Sequence, residues 1–397
     1  MNRKNITTAI IIIIGLILLV LVGRHLWLEK KEKTNIQPAD NEQLSVVENG
    51  FYYYKPVGLK IPIPEEWEDK YKISVSENDK AKIISFNYID SHNQPNLLMS
   101  LSIYPFSTKI LKSISEESNQ KIVAENSKYI IIYSSSLEMP FKEGTTDFEN
   151  YAKMVDKVNE MLAEISFTSG GVYARTKTIK ENGPTENENE KKETKKYTIQ
   201  ISYPEFLSSD DTYSEVLTSI NKETKKFVDN SLKSFKNNLT NLPSIEVLKN
   251  VYSHYQLNYQ IPGIGVEMGG HTYISVLYSD FRYYIGMAHP ITQYISKNYD
   301  LTEGGKEIKI DDIITSNETL KKITETVKEK LAQEIKNNGF DPNREIDEKF
   351  LTPKKENFSS FNLSPNGIVF NFNPGIVASR YLGAFHITIP YSVIENN

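Results

Sequence analysis

Residues 197–204 read Tyr-Thr-Ile-Gln-Ile-Ser-Tyr-Pro, and their character alternates: Tyr197, Ile199 and Ile201 against Thr198, Gln200 and Ser202. A strand turns successive side chains to opposite faces, so this spacing predicts a strand with one buried and one wet face, ended by Pro204. After Asp210 the period changes. Tyr213, Val216, Leu217, Ile220, Phe227, Val228, Leu232, Phe235 and Leu239 form the stripe of a long amphipathic helix. Further strand patterns follow at 252–259, 272–279 and 291–299. A second helix, starting near Ser316 or Asn317, carries Leu320, Ile323, Val327, Leu331 and Ile335 on one face. Two strands close the chain, at 367–372 and 385–389.

Working outward, residues 51–168 show the same mixture on a smaller scale. Strands are expected at 57–63, 83–89, 97–104 and 129–133, with Leu97, Met99, Leu101 and Ile103 on one side of the third. Tyr151, Met154, Val155, Val158, Met161, Leu162 and Ile165 then predict a helix capped by Thr146 or Asp147. Trp67, beside Glu65 and Glu66, reads as a residue at the rim of the core rather than a ligand-stacking ring. Residues 169–196 read as a charged linker, since Lys180 to Lys196 contains no aliphatic or aromatic side chain. The expected fold class is α+β: a single N-terminal transmembrane helix followed by two mixed α+β domains, 51–168 and 197–397, with mostly antiparallel sheets.

The membrane segment is the run from Asn5 to Gly23, which has no charged side chain. At about 1.5 Å per residue it is long enough for a hydrocarbon core of about 30 Å. Arg3 and Lys4 precede it, and no small-residue cleavage pattern follows, so residues 1–27 read as a signal anchor rather than a cleaved signal peptide. The lipid bilayer is then a partner through residues 5–23, and 28–50 is a polar tether. The expected location is the cell membrane, single-pass, with the C-terminal bulk extracytoplasmic.

The 397 residues carry a net charge of −5, and 39% are hydrophobic, enough to bury sizeable cores. Lysine and glutamate are interspersed, leaving no basic face for nucleic acid. There is no cysteine, so disulfides, thiolate metal sites and a cysteine nucleophile are excluded.

Three segments of 197–397 resemble the extracytoplasmic domain shared by the anti-sigma-V factor RsiV and the peptidoglycan deacetylase PdaC. They are the strand from Tyr197 to Phe206 ending in Tyr-Pro, the Gly286-Met287-Ala288-His289-Pro290 element with Asn298 to Lys306 and the Ile310-Asp311-Asp312-Ile313 turn, and Phe361 to Gly367 running on through Gly383 to Tyr391. The resemblance implies a mixed α+β binding domain outside the cytoplasm. In the anti-sigma relative such a domain recognises lysozyme, and in the deacetylase it accompanies a separate catalytic domain. This sequence departs from the pattern at Met287, where a second glycine is usual, and at Asn373-Pro374-Gly375-Ile376.

Catalytic motifs are missing. Six histidines are scattered without a His-Glu-x-x-His pair, no Gly-x-Ser-x-Gly elbow occurs, and the deacetylase metal motif Thr-Phe-Asp-Asp-Gly is absent. The resemblance makes His289, extended by Pro290, a turn histidine rather than a ligand, and Asp311 and Asp312 read as a helix or turn cap. The 24 tyrosines fall partly in the aromatic clusters Phe51 to Tyr54 and Phe281 to Tyr284, the latter with Tyr283 and Tyr284, which either stack on sugar faces or form a protein-binding hot spot, or simply populate strands. The expectation is a non-catalytic binding or sensing protein of the bacterial envelope, without cofactor or metal, its partner peptidoglycan or an envelope protein. The alternatives are a cell-wall-modifying enzyme with an unrecognised site and a proteolytically regulated receptor.

Overall fold

The computed structural model describes residues 44–107, 120–136, 138–183, 197–240 and 252–395. The chain divides into two units, Met1–Val46 and Val47–Asn397, and of the first only residues 44–46 are described. The fold class expected above is overturned. The described residues are mostly β, with 43% in strand and 29% in helix, and no helix among them is long and apolar enough to cross a membrane. Residues 5–23, where the transmembrane helix was expected, lie outside the described residues.

A single eleven-stranded sheet dominates the second unit and runs through both expected domains. In spatial order its strands are Lys306–Glu307, Ile291–Asp300, His271–Tyr283, Ser253–Met268, Tyr197–Ser208, Val172–Asn182, Gln120–Asn126, Tyr129–Ser135, Pro95–Pro105, Lys82–Ile89 and Tyr71–Glu77. Tyr197–Ser208 and Ser253–Met268 are parallel, a pairing that needs a crossover, and the helix Ser214–Thr240 lies between them in sequence. The other neighbouring strands are antiparallel.

Val172–Asn182 occupies a span read as linker. It pairs along its whole length with Tyr197–Ser208, from Val172 opposite Ser208 to Asn182 opposite Thr198. Gly183 then donates its N–H to Tyr197 C=O at 2.6 Å, so the two ends of the charged run lie side by side. Pro204 does not end its strand either. The parallel ladder stops at Ile201 opposite Leu257, and Pro204, which has no N–H to donate, lies beyond it. In Pro95–Pro105 a bulge opposite Phe86 and Asn87 breaks the alternation, leaving Leu98 buried and Leu97 exposed.

Helix Thr146–Ala163 is capped by Thr145, whose Oγ1 accepts the Phe148 N–H at 3.2 Å. Tyr151, Met154, Val158, Met161 and Leu162 fill a core with Trp67, which is fully buried, while Val155 stays outside the stripe. Phe235 and Val228 of Ser214–Thr240 pack on Ile199, Ile201, Tyr255 and Leu257 of the sheet. Burial of each such side chain contributes roughly 2 kcal/mol.

A three-stranded antiparallel sheet, Phe361–Ser364, Gly367–Phe372 and Phe385–Ile389, completes the fold. One face packs Leu363, Ile368, Phe370, Ile387 and Ile389 against helix Asn317–Asn337, which Ser316 caps as expected. The other face docks on the large sheet through buried amides. Asn362 Nδ2 donates to Ser275 Oγ and to Val276 C=O, each at 2.9 Å. Asn298 Nδ2 donates to Phe361 C=O at 2.8 Å, and Asn371 Nδ2 donates to Asn362 Oδ1 at 2.7 Å. Gly367 sits at φ +134°, where a Cβ would meet Ile389 O at 2.0 Å, so this hairpin requires glycine.

Candidate functional site

Strand register builds the site. Tyr283 and Tyr284 are consecutive, and the pleat sends them to opposite faces of the sheet. Tyr284 is core: its ring stacks on Phe235 at 5.2 Å, and its hydroxyl accepts from Asn238 Nδ2 at 3.2 Å. Tyr283 lies on the face away from the Ser214–Thr240 helix, directly across from His254, with the rings 6.4 Å apart. His254 Nδ1 shares a hydrogen bond with Thr198 Oγ1 at 2.6 Å, and the exposed Tyr252 ring lies 6.4 Å to its other side.

Two more cross-strand rows continue this face. Lys180, Gln200, Gln256, Phe281 and Thr292 stand opposite one another on five consecutive strands. Asn258, Ser279 and Tyr294 make the next row. Rows two residues apart are about 7 Å from each other, and strands about 4.8 Å apart, so the face is a regular grid of amides, hydroxyls and aromatic rings. Lys180 is the only Lys, Arg, Asp or Glu in these rows. At its far edge Tyr294 meets the docked sheet: its ring contacts His386 at 4.9 Å, and its N–H donates to Asn373 Oδ1 at 2.6 Å. His386 Nδ1 in turn donates to Asn371 Oδ1 at 2.7 Å.

A flat, nearly neutral surface of this kind suits a ligand that is uncharged, rich in hydroxyls and apolar on its ring faces. Amide side chains exchange hydrogen bonds with hydroxyls, and aromatic rings cover C–H faces.

The other residues singled out from sequence divide between the two ends of Ile291–Asp300. His289 and Pro290 are exposed in the connection after Tyr284, at the same end of the sheet as Tyr283. Asp311 and Asp312 belong to the Ile310–Ile313 turn, beyond the other end of this ten-residue strand, which is about 30 Å long. The fold therefore does not bring them together. Asp312 caps its turn, accepting the Lys309 N–H at 2.7 Å, and pairs with Lys306 at 3.0 Å. The backbone hydrogen bond, helped by Lys306, holds its carboxyl below the usual range. Asp311 pairs with Lys355 at 2.6 Å. Both aspartates are thus engaged by lysines of the fold.

Sequence reading named Phe281 with Tyr283 and Tyr284 but missed His254, Gln256 and Tyr294. Residues 254–260, His-Tyr-Gln-Leu-Asn-Tyr-Gln, carry the signal in their even positions, which are all polar. A groove of about 370 Å³ lies elsewhere, on the first part of the unit, over Pro62, Ile63 and Met161. Its central Lys157 is already engaged by Glu66 at 3.5 Å and Glu160 at 2.9 Å. Among the described residues, no group of three or more His, Asp or Glu could hold a metal ion.

Residues 311–392 match the family described as "Protein of unknown function (DUF3298)". The span contains the Asn317–Asn337 helix and the docked three-stranded sheet. Among solved structures, a DUF3298 family member from Bacteroides fragilis NCTC 9343 aligns with 56% of this chain and 92% of its own, at 16% identity and a TM-score of 0.39. A DUF3298 family protein from Pseudomonas aeruginosa PAO1 aligns with 55% of this chain and 92% of its own, at 13% identity and a TM-score of 0.33. No curated protein matches this chain.

Proposed function

We propose that this chain is a non-catalytic binding or sensing protein of the bacterial cell envelope, and that it takes a cell-wall glycan on the sheet face carrying His254, Gln256, Phe281 and Tyr283. The observation behind the ligand class is the grid itself: amide and aromatic side chains in register on adjacent strands, with one lysine among them. The envelope location is supported by the sequence resemblance to the extracytoplasmic domain of RsiV and PdaC, which also favours recognition over catalysis.

Calorimetric titration of the full chain with soluble peptidoglycan fragments tests the reading. Binding is expected, and His254→Ala with Tyr283→Ala is expected to weaken it at least tenfold while leaving the melting temperature unchanged, because both rings are on the solvent side of the sheet. Equal affinity in the double variant moves the site elsewhere. Cleavage or deacetylation of the fragments during titration replaces binding with an enzymatic function.

A further inference from the structure

The two halves of the eleven-stranded sheet are joined by very little backbone. Val172–Asn182 pairs with Gln120–Asn126 at only three positions, Tyr173 opposite Asn126, Ala174 opposite Glu125 and Arg175 opposite Ala124. On its other side the same strand is paired along its full length. Glu125 occupies the middle position of this seam. It is completely buried, and neither carboxyl oxygen has a hydrogen-bond partner among the described residues.

No neighbouring strand offers it a cation. The residues directly opposite are Ile130 on one side and Ala174 on the other. Arg175 points to the other face, where it binds Glu205 at 2.7 Å and approaches Glu164 at 3.7 Å. Lys121, earlier on the same strand, donates to Asn159 at 3.2 Å and lies over the Tyr133 ring. Among the described residues, Tyr259 of Ser253–Met268 lies near enough for the Glu125 charge to act on its hydroxyl. Its hydroxyl is 2.7 Å from Thr176 Oγ1, which itself donates to Ile122 C=O at 2.7 Å. Thr176 has given up its one proton, so Tyr259 must donate to Thr176 and has no proton left for Glu125. An ionised carboxylate in this position would be buried without compensation.

We propose that the seam is a proton-operated latch: with Glu125 as a neutral acid the three pairs hold the two half-sheets together, and ionisation of Glu125 loosens them while each half keeps its own ladders. Burial pushes this carboxyl up to about 8, which places the change just above neutral pH. The Tyr173 ring, 5.4 Å from Phe167, is an apolar contact that still links the halves when the pairs loosen.

Hydrogen exchange on the full chain, corrected for the intrinsic pH dependence of exchange, tests the latch. Between pH 6 and pH 9 the amides of 124–126 and 173–175 are expected to lose at least tenfold protection, while Pro95–Pro105 and His271–Tyr283 keep theirs. Glu125→Gln is expected to abolish that difference. Equal loss in the variant, or uniform loss across the sheet, overturns the proposal. If the variant does not fold, infrared difference spectra of the unmodified chain decide: a protonated-carboxyl band titrating near pH 8 supports the latch, and its absence at pH 6 rejects it.

Discussion

At the scale of a residue, Glu125 makes stability depend on pH in the opposite sense to an ordinary surface carboxylate. Its pKa is about 8 in the fold against an ordinary value of 4.5. Below pH 4.5 folded and unfolded chains both hold the proton, so there is no penalty. Between 4.5 and 8 the unfolded chain releases the proton and the fold retains it, so stability falls as pH rises and levels off above 8. The difference, 8 − 4.5, is about 3.5 units, or about 5 kcal/mol at full extent, using about 1.36 kcal/mol per unit. Urea unfolding is expected to show Glu125→Gln more stable than the unmodified chain at pH 9, by a few kcal/mol, and nearly equal to it at pH 4. A variant no more stable at pH 9 means that the carboxyl finds a partner on ionisation.

Among the elements, the three-stranded sheet depends on its amides. Asn362 is fully buried and satisfies Val276 C=O, Ser275 and Asn371 at once. Asn362→Ala leaves these groups unpaired and opens a small cavity, for an expected loss of about 3 kcal/mol. Asn362→Asp keeps the shape but brings a buried charge in place of the donating amide. It is expected to be at least as harmful at pH 7 and to recover partly on acidification. Chemical denaturation of both variants at pH 5 and pH 7 checks this. Equal behaviour at the two pH values would show that the network tolerates an acceptor there. The same buried amides hold the docked sheet beside Tyr294, so the variants are also expected to disturb the far edge of the proposed binding face.

For the whole molecule, the continuous sheet predicts that residues 197–397 do not form an independent domain. A chain starting at Tyr197 lacks Val172–Asn182 and exposes the long edge of Tyr197–Ser208. Such a fragment is expected to aggregate or melt well below the full chain, whereas one starting at Val47 unfolds in a single main transition. Differential scanning calorimetry of the two fragments distinguishes these outcomes, and a stable 197–397 fragment with full enthalpy per residue refutes the prediction.

Local pattern sufficed where one face of an element is apolar and the other is wet. The stripe from Tyr213 to Leu239, the helix from Asn317 and the strands Gly367–Phe372 and Phe385–Ile389 were legible because period and burial coincide in them. Of the site, Tyr283 could be named from sequence, but its separation from Tyr284 onto the opposite face, and its pairing with His254, depend on the register between strands. Only tertiary structure made Val172–Asn182 a central strand, because its polar side chains resemble a linker until Tyr197–Ser208 supplies the backbone partner. It alone joined the two expected domains and placed Glu125 at their seam: backbone pairing between distant segments costs chain entropy and rewards geometry, and neither is written in the local spacing of apolar residues.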